Sequence, residues 1–357
     1  MMKQVALISS GLGHVKRGFE TNIQKHYDRL QPLLGDQLLL LKGGGSGSIP
    51  NFRQHGFWAK WLGKLFQKHP FEIQNYSFFL GSIYWILRYR PQVIYLGEPI
   101  LYRLYAKLRN LLQLNFRMIY FSGGGVIPKK THAEDTIQFV VPPACIGVDI
   151  HKVTANTVVL PHYVDLFKNR SAHQIQHVSA SLHIPTSAKI ILSVGALDRQ
   201  KRMDYLIQEV AHAELDCFLI LLGQEESDTP DIRRLAQQLL PDRHVIGTVP
   251  HHELATYYAL ADVFVLASLK EGFGLVYLEA LSFGLPVLAH DYPISRHVLK
   301  KWGFFGDFQK KGALQQLLLQ VSKIPPTRST RQQRRAFVQE NYSWNSLKEA
   351  YLELFLA

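Results

Sequence analysis

Cysteine is scarce in this chain, acidic residues are outnumbered, and no long apolar run is present. Two cysteines in 357 residues, Cys145 and Cys217, cannot form a disulfide framework. Reduced thiols in a cytoplasmic setting are the expectation, with folding left to the hydrophobic core. The N-terminal apolar run VALISS is six residues long and ends in GLGH. It reads as a first strand entering a glycine loop, with neither a leader nor a membrane span expected. No Asp-x-Asp metal motif occurs; Glu226-Ser227-Asp228 is the nearest approach. No required metal is expected.

What is present suffices for folding. Hydrophobic residues make up 47% and charged residues 19%, and the length suits two domains. The 40 basic and 28 acidic residues are unevenly spread. Residues 1–165 hold 19 basic against 9 acidic, a net of +10, and residues 166–357 hold 21 against 19, a net of +2. An anionic partner surface, such as a bilayer, would therefore lie on the first half. No nucleic-acid reader motif accompanies the charge, so nucleic acid is not the expected partner.

Short apolar strands alternate with helical patterns throughout. In the first half the strand candidates are Val5–Ser9, Gln37–Leu41, Val93–Leu96, Met118–Ser122 and Val158–Leu160. Helical patterns cover Phe19–Leu30, Phe78–Tyr89 and Leu101–Leu112, and Pro91 closes the second. The alternation resumes after a polar stretch, 168–187, from KIILSVGAL onward. Repeated β-α units predict parallel sheets with helices on both faces and a ligand crevice at the carboxyl ends of the strands. The expected division is 1–165, 166–335, and a terminal helical segment, 336–357, returning to the first domain.

The most informative stretch is KEGFGLVYLEALSFGLPVLAHD, residues 270–291. A strand, DVFVLAS, leads into Glu271-Gly272-Phe273-Gly274, and a helical pattern follows until Gly284. A glycine loop feeding a helix offers free backbone N–H groups and the positive end of the helix dipole to a phosphate or diphosphate. Glu279, about one turn into the helix, can accept two hydroxyl hydrogen bonds, which suits a ribose diol. Glu271 can accept from sugar hydroxyls on the other side of the same anion. A Gly-rich turn with two surface glutamates is the plainer alternative.

The surrounding sequence, YYALADVFVLASLKEGFGLVYLEALSFGLPVLAHD, closely resembles the signature region of family 4 glycosyltransferases. ILSVGALDRQKRMDYLI, VVLPHYVDLFK and YSWNSLKEAYLELF extend the resemblance, which is strongest over about 189–291 and weak over much of 1–150. It implies the α/β GT-B fold: two facing Rossmann-like domains, a cleft between them, and a C-terminal helix crossing back to the first. It further implies transfer of a sugar, with retained anomeric configuration, from a nucleotide-diphosphate sugar to a hydroxyl acceptor.

Carried over position by position, the resemblance assigns Glu279 to the nucleotide ribose and Glu271 to the donor sugar. Phe273, Gly274 and Leu275 would contact sugar and phosphate through their backbone, and Lys201 would meet the diphosphate. The family's arginine in that loop falls on Ala196. Arg199 is as well placed to replace it as to point to solvent. Thr248 and Val249 would carry backbone contacts to the base, while His251 and His252 have no assigned role.

In the first domain, Gly11 and Gly13 match the family's first glycine loop, with His14 and Arg17 at the following helix start. A lone G-x-G also fits an NAD-binding loop, but no acid ends the second strand, where LLLLKGGGSG stands. The histidine that many relatives carry after the fourth strand is absent; Ser122 and Gly123, in YFSGGGVIP, occupy its place. Glu98, in YLGEP, is the first-domain acid suited to acceptor binding, or a plain loop carboxylate. LKGGGSGSIP is expected to be a flexible loop at the edge of the cleft.

FRQHGFWAKWLGKLFQKHP places Trp58, Trp61, Leu62, Leu65 and Phe66 among Lys60, Lys64 and Lys68 at helical spacing. The favoured expectation is a stripe packed on the first sheet with lysines outward. Its alternative is a helix lying at the inner face of an anionic membrane, with a lipid or lipid-linked acceptor. Two other readings of the whole chain stand beside the transferase: a degenerate binder of a nucleotide sugar or a protein, and a sugar-nucleotide epimerase.

Overall fold

The computed structural model describes residues 4–15, 18–123, 125–167, 170–325 and 327–356. The chain divides into two compact units: Met1–Leu160 with Glu349–Ala357, and Pro161–Lys348. The first unit is built on β1 (Val5–Ser9), β2 (Leu38–Lys42), β3 (Val93–Leu96), β4 (Arg117–Ser122), β5 (Thr136–Phe139) and β6 (Asn156–Val159). The second is built on β7 (Lys189–Val194), β8 (Cys217–Leu222), β9 (His244–Gly247), β10 (Val263–Leu266), β11 (Val287–His290) and β12 (Gly303–Gly306).

Both sheets are wholly parallel, in the orders β2-β1-β3-β4-β5-β6 and β12-β11-β10-β7-β8-β9. Central strands are buried along their whole length, β1, β3 and β8 among them. That is why they read as continuous apolar runs without alternation. Strand order reverses between β1 and β3 and again between β7 and β10. Loops leaving these neighbours at their carboxyl ends diverge to opposite faces and open a crevice there.

Two strands escape the sequence pattern. β5 is four residues, TIQF, with the buried amide of Gln138 in its middle. That amide donates to Leu160 O at 3.0 Å and accepts from Tyr95 Oη at 3.0 Å. β12, GFFG, is short and glycine-ended at the sheet edge.

The aromatic stripe is also a correction. Helix Phe57–Leu65 buries Ala59 and Gly63, while Phe57, Trp58, Trp61, Leu65 and Phe66 are exposed. At Gly63 a Cβ would lie 2.7 Å from Lys68 O, in the turn that follows the helix, so that position admits no larger residue. Backbone bonds hold the first two glycines of the Gly/Ser loop after β2. Gly43 N donates to Ser9 O and Gly44 N to Leu12 O, at 3.2 and 2.9 Å. A Cβ on Gly43 would sit 1.9 Å from Ser10 O, so the two backbones meet directly.

The terminal helix Trp344–Leu356 carries the chain from the second unit back into the first. There Tyr351 and Phe355 are buried, Phe355 packs edge-on against Tyr95, and Arg117 donates to Leu354 O at 2.7 Å. Deeper in the first unit, Arg109 makes a paired contact with Asp135 at 2.7 and 3.2 Å. Asp135 is fully buried and also accepts from Tyr102 Oη and the Met118 amide. Removing it deprives a buried guanidinium of its paired carboxylate and leaves it Phe116 O and the half-exposed Glu134. Asp135→Ala should destabilise the protein by about 3–5 kcal/mol, read from urea unfolding beside Glu134→Ala, whose exposed pair with Arg109 should cost less than about 1 kcal/mol.

Candidate functional site

In the second unit the carboxyl ends of three adjacent strands close to bare backbone. Gly195 N donates to Leu222 O and Gly223 N to Gly247 O, at 2.9 and 3.0 Å. A Cβ on Gly223 would fall 1.6 Å from Gly195 O, whereas one on Gly247 would meet nothing within 4 Å. The result is a low shelf beside the β7/β10 switch point. Thr248 follows β9 there, exposed, with its hydroxyl donating to Gly223 O at 2.6 Å; Val249 is half-buried beside it.

The loops after β7 and β10 bring Lys201 and Glu271 together. Lys201 Nζ lies 2.7 Å from Glu271 Oε1, with both side chains largely sheltered. The ammonium has three donors, so two remain for an incoming anion, and the second oxygen of Glu271 can accept from a hydroxyl. Backbone bonds hold each partner in place. Lys201 N donates to Asp198 Oδ1 at 2.6 Å, and Glu271 N donates to Tyr292 Oη at 2.9 Å. Burial, and then the Glu271 charge, push the Tyr292 phenol above its ordinary range, so it stays protonated.

Gly274, at φ +81°, turns the chain into helix Leu275–Ser282, and a Cβ there would strike the Tyr277 ring at 2.4 Å. Phe273 is buried edge-on against His162, which leaves its peptide as the polar part of the turn. Leu275 is the first helical residue, at the dipole's positive end. One turn on, Glu279 is buried with its carboxylate anchored on both oxygens. Tyr258 Oη donates to Oε2 at 2.8 Å, and His251 Nε2 lies 3.2 Å from Oε1. A carboxylate has about four acceptor positions, so two remain. Arg199, by contrast, is exposed and pairs with Asp231 at 3.5 Å on the neighbouring helix Thr229–Leu239.

In the first unit the β1/β3 switch point gathers Gly11, Gly13, His14 and Glu98. Gly11 lies against Glu20, where a Cβ would be 2.4 Å from its carboxylate. Gly13, at φ +93°, packs on Gly44 O. His14 Nε2 is 3.0 Å from Gln74 Oε1, and Gln74 Nε2 donates to Ser10 O. Glu98 is buried, accepting from Ser9 Oγ and the Ser10 amide at 3.2 and 2.9 Å. Ser122 ends β4 buried, donating to Val126 O at 3.1 Å, with Gly123 half-buried next to it. Arg17 lies outside the described residues.

Tyr258, Tyr292, Asp198 and His251 were not legible as site residues. Tyr258, Tyr292 and His251 meet partners 21 to 28 positions away that only the fold supplies, and Asp198 meets Lys201 N within a local turn. The His251–Tyr258 spacing of two helical turns was visible, but nothing in it pointed to Glu279. Among the described residues, no group of three or more His, Cys, Asp or Glu side chains is placed to hold a metal ion.

Two six-stranded parallel sheets of this order define the α/β GT-B fold, and solved structures agree. Sucrose-phosphate synthase from Thermosynechococcus elongatus superposes with a TM-score of 0.74 at 22% identity, covering 99% of each chain. Anabaena HepE in complex with UDP and glucose gives 0.74 at 16%, again over 99% of each chain. Residues 174–344, which contain Lys201, Glu271 and Glu279, match the family described as Glycosyl transferases group 1.

Among curated relatives, the alpha-monoglucosyldiacylglycerol synthase of Streptococcus pneumoniae is 28% identical over 198 residues, 51% of this chain and 45% of its own. A D-inositol 3-phosphate glycosyltransferase of Corynebacterium urealyticum is 30% identical over 154 residues, 40% of this chain and 36% of its own. The matches thus span less than half the length of these relatives.

Glu98 yields a pH test. Burial chiefly, with the nearby Glu20 charge adding, lifts its carboxyl from 4.5 to about 7, against opposing hydrogen bonds from Ser10 and Ser9. Between those values the folded chain keeps a proton that the unfolded chain has released, so stability falls as pH rises through this window. Glu98→Gln mimics the protonated acid. Its stability in urea unfolding should track the wild type at pH 4.5 and exceed it at pH 8, by up to about 3 kcal/mol. A constant offset across that range would contradict the raised value.

Proposed function

We propose that the protein is a retaining family 4 glycosyltransferase, moving a hexose-like sugar from a nucleotide-diphosphate donor to a hydroxyl acceptor. The observation that carries this is the constellation at the β7/β10 switch point: a sheltered Lys201–Glu271 pair beside a glycine-fed helix start and the anchored carboxylate of Glu279. Its position inside the matched segment 174–344 supports the same reading.

In this reading Glu279 accepts from the ribose hydroxyls, with its orientation fixed by Tyr258. The amides of Phe273, Gly274 and Leu275 and the ammonium of Lys201 receive the diphosphate. They offset the charge that builds on the leaving group, so no metal is assigned. Glu271 accepts from hydroxyls of the sugar. Attack from the face the diphosphate leaves, with that phosphate taking the proton, gives retention without a histidine base. Arg199 is left out of catalysis, since its partner is the exposed Asp231. In the first unit, Gly11 and Gly13 are assigned to the donor diphosphate, and His14, Glu98, Ser122 and Gly123 to the acceptor side.

Calorimetric titration with UDP, GDP and ADP tests the pocket, with UDP first because a structural relative holds UDP-glucose. One nucleotide should bind, and Glu279→Ala should weaken it about 10- to 100-fold, the worth of hydrogen bonds to a charged group. Lys201→Met should lower turnover about 100- to 1,000-fold with less effect on nucleotide affinity. Absence of binding by all three nucleotides would overturn the proposal; an inverted product anomer would overturn the retaining mechanism alone.

A further inference from the structure

The helix Phe57–Leu65 has its burial inverted. Its two buried residues are Ala59 and Gly63, while Phe57 is 70%, Trp58 57%, Trp61 47% and Leu65 59% exposed, and Phe66, just beyond, 62%. Apolar residues ordinarily drive a helix onto the core through its large side chains. Here small residues face the protein, and the aromatic face has no cover among the described residues. The rings form one patch, with Phe57 against Trp58 at 5.5 Å and Trp58 against Trp61 at 6.0 Å.

Charge indicates what covers it. Residues 51–71 contain four basic side chains, Arg53, Lys60, Lys64 and Lys68, and no acid. Lys60 and Lys64 stand exposed on the same short helix, one turn apart. Protein interfaces deplete lysine at their apolar centres. A bilayer interface accepts this mixture: tryptophan sits at headgroup level, and lysine stems lie along apolar surface with their ammonium groups in the headgroup layer. No helix of the described residues is long and apolar enough to cross a membrane, so contact would be along the surface.

We infer that the 57–66 segment is a docking surface for an anionic lipid bilayer, with the aromatic side chains inserted at the interface and Lys60 and Lys64 paired to lipid phosphates. The inference depends on the first unit alone and stands apart from the transferase reading. Both anchoring signals are needed, since short apolar faces and small basic patches each bind weakly and reversibly.

Flotation with vesicles tests it, in the absence of any nucleotide. The wild type should float with equimolar phosphatidylglycerol and phosphatidylcholine vesicles, stay behind with phosphatidylcholine alone, and release as salt is raised. W58S/W61S/F66S should lose binding at least about tenfold with an unchanged melting temperature, because these side chains are already solvated. K60Q/K64Q should lose most of the preference for anionic vesicles. Failure of the wild type to float would overturn the inference, as would equal flotation of the aromatic variant. So would a wild-type dimer that the aromatic substitutions convert to a monomer, since the face would then belong to a second copy of the chain.

Discussion

Parallel pairing governs this structure more than any single contact. Neighbouring strands that run the same way must be joined by crossovers, so every loop leaving a strand's carboxyl end emerges on one edge of its sheet. Where the order reverses, between β7 and β10 and between β1 and β3, the loops part and leave room. Lys201 and Glu271, 70 residues apart in sequence, meet because β7 and β10 are adjacent. Glu98 reaches Ser9 and Ser10 for the same reason in the other unit, since β3 lies beside β1.

Glycine lets the edge work at close range. The contacts of Gly223 with Gly195 and of Gly43 with Ser10 bring peptide against peptide, leaving backbone groups as the surface a ligand would meet. Into that surface a few side chains are set with unusual firmness. Glu279 is oriented by Tyr258 and His251, and Glu271 by Tyr292 through its amide. Such anchoring fixes the direction of both carboxylates before anything binds.

The two units spend their charge and apolar surface differently. The second is nearly balanced and keeps its polar chemistry at the sheet's carboxyl edge. The first carries the excess of base and, on a short helix, an aromatic face turned outward. Hydrophobic patterning alone could not separate that face from an ordinary core stripe, since both show the same spacing. What separates them is burial in the fold: Ala59 and Gly63 are the buried residues of this helix, and Trp58 and Trp61 are exposed.

Sequence alone determined the alternation of strands and helices, the parallel α/β class, and the glycine loop of Glu271 that feeds the helix bearing Glu279. These depend on local patterns: buried runs for central strands, glycine where φ turns positive, a helix start where amides are free. β5 and β12 fell outside it, one interrupted by a buried glutamine and the other too short to carry a period. Tertiary structure decided the partners. It joined Lys201 to Glu271, gave Glu279 its tyrosine and histidine, turned Arg199 to Asp231, and left Trp58 and Trp61 in solvent. Each of those outcomes depends on which strands and helices become neighbours, and no local spacing encodes that adjacency.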